Sequence, residues 1–98
     1  MTDLVISEAA RADLGEIVDY IARDNPARAE TFLDELLARI TAVAEHPQAY
    51  QVRTDWPVPV RAAVHRRYLI VFREHEQRIE IARVLHSARD IPAILRDQ

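Results

Sequence analysis

The sequence contains no cysteine and a single glycine, and both scarcities exclude kinds of functional site. Without cysteine the chain forms neither a disulfide nor a thiolate metal site, and a reducing cytosol is the predicted compartment. A phosphate-cradling loop needs several glycines, so a nucleotide-binding loop of that kind is excluded. The four histidines show no metal-ligand spacing, and we expect neither a metal nor a cofactor.

Long apolar runs are also missing. No stretch approaches the roughly 20 apolar residues of a membrane span, and the early acidic segment does not resemble a secretory signal. The 98 residues suit one domain, residues 1–98. A chain of this size buries only about two thirds of its unfolded surface, so burial against a partner would add to its stability.

Lysine is absent as well, so all thirteen basic residues are arginine. Residues 1–50 carry four arginines against ten acids, whereas residues 51–98 carry nine arginines against six acids. An acidic half and a basic half can steer an oppositely charged partner. Exclusive use of arginine is typical of a GC-rich genome, and arginine forks also suit carboxylate and phosphate recognition.

The first half of the chain predicts a strand and then a helix. Residues 3–6 form a short apolar strand, and Ser7 after it is a good N-cap. Apolar residues at helical spacing then predict a helix over about 8–23. Gly15 lies inside this helix, where glycine costs about 1 kcal/mol relative to alanine. We therefore expect close backbone packing at Gly15, against the next helix.

A second helix is predicted over about 26–45. Asn25-Pro26 begins it and His46-Pro47 ends it, because proline suits the first helical position and disfavours helix in the residue before it. The short connection makes the two helices an antiparallel hairpin. Residues 47–59 are a proline-rich loop, in which Trp56 is expected to cover an edge of the core.

The last third of the chain predicts antiparallel strands, because its connections are too short for parallel pairing. The strands are expected at about 60–65, 68–73 and 78–86, followed by a short helix, Ile91 to Arg96, capped by Ser87 or Asp90. The predicted fold is α+β: an N-terminal strand, an antiparallel two-helix hairpin packed on a curved antiparallel sheet, and a short C-terminal helix.

Strand 68–73 is apolar on both faces. Alternation puts Tyr68, Ile70 and Phe72 on one face and Leu69, Val71 and Arg73 on the other. The helical hairpin covers only one face, so the second needs the final helix, a segment of another chain, or both. A slip of one residue would exchange the two faces.

A basic group on the sheet and at its C-terminal edge is the candidate site: Arg67, Arg73, Arg83, His86 and Arg89. A histidine beside arginines can cleave RNA, with the histidine exchanging protons and the arginines stabilising phosphate charge.

The structural alternative pairs Arg83 and Arg89 with acids such as Glu80 and Asp90. His86 would then only satisfy the hydrogen bonds at the strand end.

Four stretches together resemble the ParE branch of the RelE/ParE toxin superfamily. They are LVISEAARADLGEIVDYIARDNPARAETFLDEL, the following His46-Pro47, RRYLIVFRE and IARVLHSARDIPAIL, and they cover nearly the whole chain. The resemblance implies a RelE/ParE-like fold and the toxin of a type II toxin–antitoxin pair. It further implies a ParD-like antitoxin, with an N-terminal ribbon-helix-helix DNA-binding dimer and a C-terminal segment that wraps the toxin.

The resemblance also bears on mechanism, because ParE-type toxins are associated with poisoning DNA gyrase and RelE-type relatives cut messenger RNA on the ribosome. Those nucleases carry an arginine where this chain has Leu69. They also carry lysines on the preceding strand and loop, whereas this chain has no lysine. Their late tyrosine has no counterpart in this chain after Asp90. Arg89 matches a basic residue of their site, and His86 resembles the catalytic histidine of one nuclease branch, but RVLH belongs equally to the ParE branch. A non-enzymatic, gyrase-binding toxin is therefore favoured over an RNase.

Each alternative assigns its own residues. An RNase would use His86, Arg83 and Arg89. A binding toxin would present Arg67, His86 and Arg89 to its target, and Leu69, Val71, Arg73 and Arg83 to its antitoxin. DNA would be met only indirectly, through the antitoxin. A third possibility is a non-toxic member that survives as a co-repressor with its antitoxin.

Overall fold

A computed structural model describes residues 3–97. In chain order the elements are β1 (Asp3–Ile6), α1 (Glu8–Ala22), α2 (Pro26–Glu45), a 3₁₀ turn (Pro47–Ala49), β2 (Val52–Arg53), β3 (Val60–His65), β4 (Tyr68–His75), β5 (Arg78–His86) and α3 (Ile91–Arg96). The predicted α+β fold is confirmed. The short strand β2 was not predicted, because two residues carry no detectable alternation.

The strands form one five-stranded sheet in the order β1-β5-β4-β3-β2. The neighbours from β2 to β5 are antiparallel, as their short connections require. Strand β1 instead lies parallel to β5, with Asp3 opposite Arg78 and Ile6 opposite Ile81. The segment that joins these two strands, residues 7–77, begins with the helical hairpin and is much longer than the roughly dozen residues that a parallel connection needs.

Side chains at the helix starts determine where the helices begin. The Ser7 hydroxyl accepts from the Ala10 amide at 3.0 Å and donates to the Ala82 carbonyl at 2.8 Å, which ties the start of α1 to β5. The Asn25 side chain caps α2. Asp90 caps α3, so the alternative cap at Ser87 is wrong.

The main core lies between the helical hairpin and one face of the sheet. The hairpin contributes the stripe centred on Leu36 and Ile40, and the sheet contributes Ile70, Phe72 and Ile81. All five side chains are at most 1% exposed. This burial stabilises the fold by roughly 1.5–3 kcal/mol for each large apolar side chain.

A second core covers the other face of the sheet. Val71 and Leu85 are fully buried there, under Ile91 and Leu95 of α3. Trp56 and other half-buried apolar residues pack on the same cluster, so the expected role of Trp56 at a core edge is confirmed. The final helix and the proline-rich loop therefore cover much of the face for which the sequence suggested a partner.

One expected close contact is missing. Gly15 is exposed, and a Cβ atom at this position would meet no other atom of residues 3–97 within 4 Å. The prediction of close backbone packing at Gly15 is therefore wrong, because the glycine lies on the solvent side of α1.

Candidate functional site: an aromatic groove between arginines

Three ring side chains form the floor of a groove between α1 and one end of the sheet. Tyr68 begins β4 and His86 ends β5, and the antiparallel register places them opposite each other. Their rings meet edge to face with centroids 5.2 Å apart. Tyr20, near the end of α1, lines the same groove and is 67% exposed. We call this feature the aromatic groove.

Arginines lie at both ends of the aromatic groove. One end is lined by Arg28, Arg66 and Arg67, and the other by Arg89. Arg66 and Arg67 form the β3–β4 turn, where Arg66 has a positive φ of 54°. The turn therefore projects two charged side chains beside Tyr68.

Glu35 on α2 fixes the turn end of the groove. Its carboxylate accepts from Arg28 at 2.6 Å, from His65 at 3.0 Å and from Arg66 at 3.3 Å. The hydrogen bond from Arg28 is the largest cause that lowers the pKa of Glu35 to about 2, followed by the one from His65. The ionised carboxylate thereby holds the β3–β4 turn against α2.

His86 is held in one tautomer. Its Nδ1 accepts a hydrogen bond from the Ala88 amide at 3.0 Å. An amide can only donate, so Nδ1 carries the lone pair and the proton of the neutral ring lies on Nε2. Nε2 is then a donor, and a general base at that atom would require a different tautomer.

Arg83 is engaged inside the fold. Its guanidinium donates to both Asp13 oxygens, at 2.7 and 2.8 Å, and the Val84 amide donates to the same carboxylate at 2.9 Å. Asp13 is 5% exposed, and its hydrogen bond raises the pKa of Arg83. The structural alternative, in which Arg83 pairs with an acid of this chain, is confirmed, but the acid is Asp13 and not Glu80 or Asp90, since Glu80 binds Arg73 and Asp90 caps α3.

A β-bulge lies directly before Arg83 in β5. Val71 lies opposite Arg83 and Phe72 opposite Ile81, which leaves Ala82 as an extra residue in β5. Strand β1 pairs with β5 only as far as Ile81, so the Val84 amide beyond it has no strand partner on that edge. Asp13 satisfies this amide and the guanidinium together. Arg83 is thus already paired within the chain, and its predicted pairing with antitoxin acids stays a prediction.

The other residues expected at the antitoxin surface range from fully buried to half-buried. Val71 is fully buried under α3, so its side chain is not accessible in this structure, and its predicted contact with the antitoxin stays a prediction. Leu69 is half-buried, and Val64 opposite it on β3 is 59% exposed. Arg73 is half-buried beside Glu80. An apolar strip of Leu69 and Val64 therefore stays accessible on the second face of the sheet.

The residues expected at the toxicity surface do lie together at the aromatic groove. Arg67 and His86 line one half of it, and His86 and Arg89 line the other. Sequence reasoning missed Asp13, Tyr20 and Tyr68. Asp13 was detectable as an acid inside the apolar stripe of α1, between Ala10 and Leu14. Among residues 3–97 the side chains form no group of three possible metal ligands.

Burial raises the pKa of Tyr68, with a further contribution from Tyr20. The Tyr68 hydroxyl therefore stays protonated and neutral near pH 7. Together with the Nε2–H of His86, the groove offers hydrogen-bond donors on its floor and positive charge at its ends. Such a lining is suited to binding an anionic, partly planar ligand.

Comparison with known proteins agrees with the fold. The family model described as the ParE toxin of the type II toxin–antitoxin system parDE matches residues 4–91. A solved structure of the chromosomal ParDE toxin–antitoxin system from P. aeruginosa superposes with a TM-score of 0.77 at 22% identity, covering 88% of this chain and 96% of that chain. No curated protein matches the sequence significantly.

The fold and these matches define a toxin domain of the RelE/ParE type. The chain belongs to the ParE toxin family of type II toxin–antitoxin systems. It is accordingly the toxin of such a system, and an antitoxin is its partner. No helix within residues 3–97 has the length and apolar character needed to cross a membrane.

Proposed function

We propose that this toxin inhibits growth by binding and poisoning DNA gyrase, without cutting RNA, and that a ParD-like antitoxin neutralises it. Family membership supports a protein target of this kind. The observation that carries the choice of mechanism is the engagement of the nuclease candidates within the fold. Arg83 is held by buried Asp13, and Nδ1 of His86 accepts from Ala88. Of the nuclease set, only Arg89 remains exposed.

The proposed target surface is the aromatic groove with Arg67, His86 and Arg89. Exposed arginine and tyrosine side chains are the residue types that dominate binding energy at protein interfaces. Gyrase and the antitoxin would both be met in the cytoplasm.

The proposed antitoxin surface is the strip of Leu69 and Val64, with Arg73 four residues further along β4. Strand β3 pairs with β2 only at Val60 and Arg61, so its outer edge at residues 62–65 lacks a strand partner among the described residues. An open strand edge beside exposed apolar side chains suits an extended segment that adds a strand. In this proposal the antitoxin dimer binds DNA and its C-terminal segment covers the toxin.

The experiment is a supercoiling assay with purified gyrase, relaxed plasmid and the free toxin. We expect inhibition and accumulation of linear plasmid, and full relief when the antitoxin is added. Intact supercoiling at toxin concentrations that arrest cells would exclude gyrase as the target. A parallel incubation of translating ribosomes with the toxin measures cleavage of messenger RNA, and cleavage abolished by His86→Gln would instead support the RNase.

A further inference from the structure

We infer that the aromatic groove binds a single nucleic-acid strand directly, with phosphates at Arg67 and Arg89 and a base on the ring of Tyr20. The inference rests on the proposed function in one respect, since gyrase-held DNA is then the strand that the toxin meets in the cell. It departs from the sequence-based expectation that DNA is met only through the antitoxin.

The charge of the groove supports an anionic ligand. Arg67 and Arg89 are exposed, and neither is paired with an acid among residues 3–97. The acids that line the groove are Asp13 and Glu16. Asp13 is neutralised by Arg83, which leaves Glu16 as the uncompensated acid. The groove is therefore positive although the whole chain carries −3.

The aromatic floor distinguishes a nucleic acid from a merely acidic ligand. Tyr20 exposes 67% of its surface beside the unpaired arginines, and an exposed ring is a stacking platform for any base. The Nε2–H of His86 adds a donor between the two charged ends. The acidic side chains of a peptide would use the arginines alone, whereas each nucleotide brings a phosphate and a planar base together.

The position of Tyr20 favours an unpaired strand over a duplex. The Tyr20 ring lies on α1, Arg67 lies in the β3–β4 turn and Arg89 follows β5. A ligand that contacts all three must therefore run between the helix and the end of the sheet. Bases in a duplex are stacked on each other and present no free face to an aromatic ring. The chemistry thus selects single-stranded DNA or RNA.

The test is fluorescence anisotropy of a labelled oligonucleotide of about 12 nucleotides with the free toxin, in salt from about 50 to 200 mM. Single-stranded DNA, RNA of the same sequence and the DNA duplex are compared. We expect both single strands to bind more tightly than the duplex. A preference for DNA would identify gyrase-held DNA as the source of the strand, and a preference for RNA would identify a transcript.

Matched variants locate the binding. Replacing Arg67 and Arg89 together by alanine is expected to weaken binding and to reduce the log–log salt slope by about 1.4, the value for two phosphates on a single strand. The control replaces Arg78 and Arg96, two exposed arginines outside the groove, and should leave affinity and slope unchanged. Tyr20→Ala should weaken binding about tenfold, whereas Tyr20→Phe should retain it.

The inference would be overturned if the oligonucleotide shows no salt-dependent binding at about 50 mM salt. It would also be overturned if the Arg78/Arg96 control weakens oligonucleotide affinity as much as the Arg67/Arg89 variant does. The third contradicting outcome is that polyglutamate displaces the oligonucleotide equally from the wild type and from both double variants. Failure of the proposed function is separable. Strand binding that survives while gyrase supercoiling is untouched removes gyrase alone, and inhibited gyrase without strand binding removes only this inference.

Discussion

The carboxylate of Asp13 on α1 accepts two hydrogen bonds from the guanidinium of Arg83 on β5, at 2.7 and 2.8 Å. The same carboxylate accepts from the Val84 amide, on the part of β5 that β1 does not reach. One buried acid thus fastens the helical hairpin to the sheet and closes an open strand edge. It also removes Arg83 from the set of free cations.

Replacing Asp13 by alanine should lower the free energy of unfolding by about 3 kcal/mol, because a half-buried guanidinium and a buried backbone amide lose their partner. Chemical denaturation followed by circular dichroism measures this. Asp19→Ala, which removes an exposed acid from the same helix, should change stability by less than about 0.5 kcal/mol. Equal effects of the two substitutions would contradict the structural role of the pair.

Glu35 should make stability depend on pH in the acid range. Its pKa is lowered from 4.5 to about 2, so the folded state binds its proton less readily than the unfolded state. The stabilisation is fully present above about pH 4.5 and is lost as the pH falls towards 2. Denaturation midpoints across this range should fall more steeply for the wild type than for Glu35→Gln. Parallel curves would show that the cluster with Arg28 and His65 does not persist in solution.

Substituting Gly15 by alanine should stabilise the protein by about 1 kcal/mol, because the position is exposed, helical and free of neighbours. The matched control is Ala12→Gly, at another exposed position of α1, which should destabilise by a similar amount. Thermal unfolding of both variants measures the pair. A destabilised Gly15→Ala variant would mean that something packs against the solvent side of this helix.

Leu95→Ala should cost about 2–5 kcal/mol, because Leu95 is 2% exposed and covers Val71 and Leu85 in the second core. Ile94→Ala, at the half-buried neighbouring position, should cost clearly less. Urea denaturation compares the two. Equal and small losses would indicate that α3 is detached in solution, and Val71 would then again be available to an antitoxin.

Most of the fold could be predicted because its signals are local. The Ser7 and Asn25 caps, the stripe through Leu36 and the short connections between strands each require only a few neighbouring residues. The parallel pairing of β1 with β5 depends instead on a contact across some 75 residues, and two-residue β2 has too little sequence to show a pattern.

The site was predictable only in part, for one geometrical reason. The sequence analysis assigned Arg83 to the antitoxin surface, and the extra residue Ala82 interrupts the strand alternation just before Arg83. The pairing of Arg83 with Asp13 therefore could not follow from alternation. Arg67, His86 and Arg89 do lie together, because the β3–β4 turn and the end of β5 meet at the same end of the sheet.

The central claim is that the toxin acts by binding gyrase and not by RNA cleavage. It is tested most directly by pulse-labelling DNA and protein synthesis after inducing either the wild type or His86→Gln. The glutamine amide keeps a hydrogen-bond donor near the Nε2 position but supplies no general base. We predict that DNA synthesis falls first with both chains, together with a DNA-damage response. An immediate stop of protein synthesis with the wild type, absent with His86→Gln, would contradict the account and assign the toxin to the RNA-cleaving class.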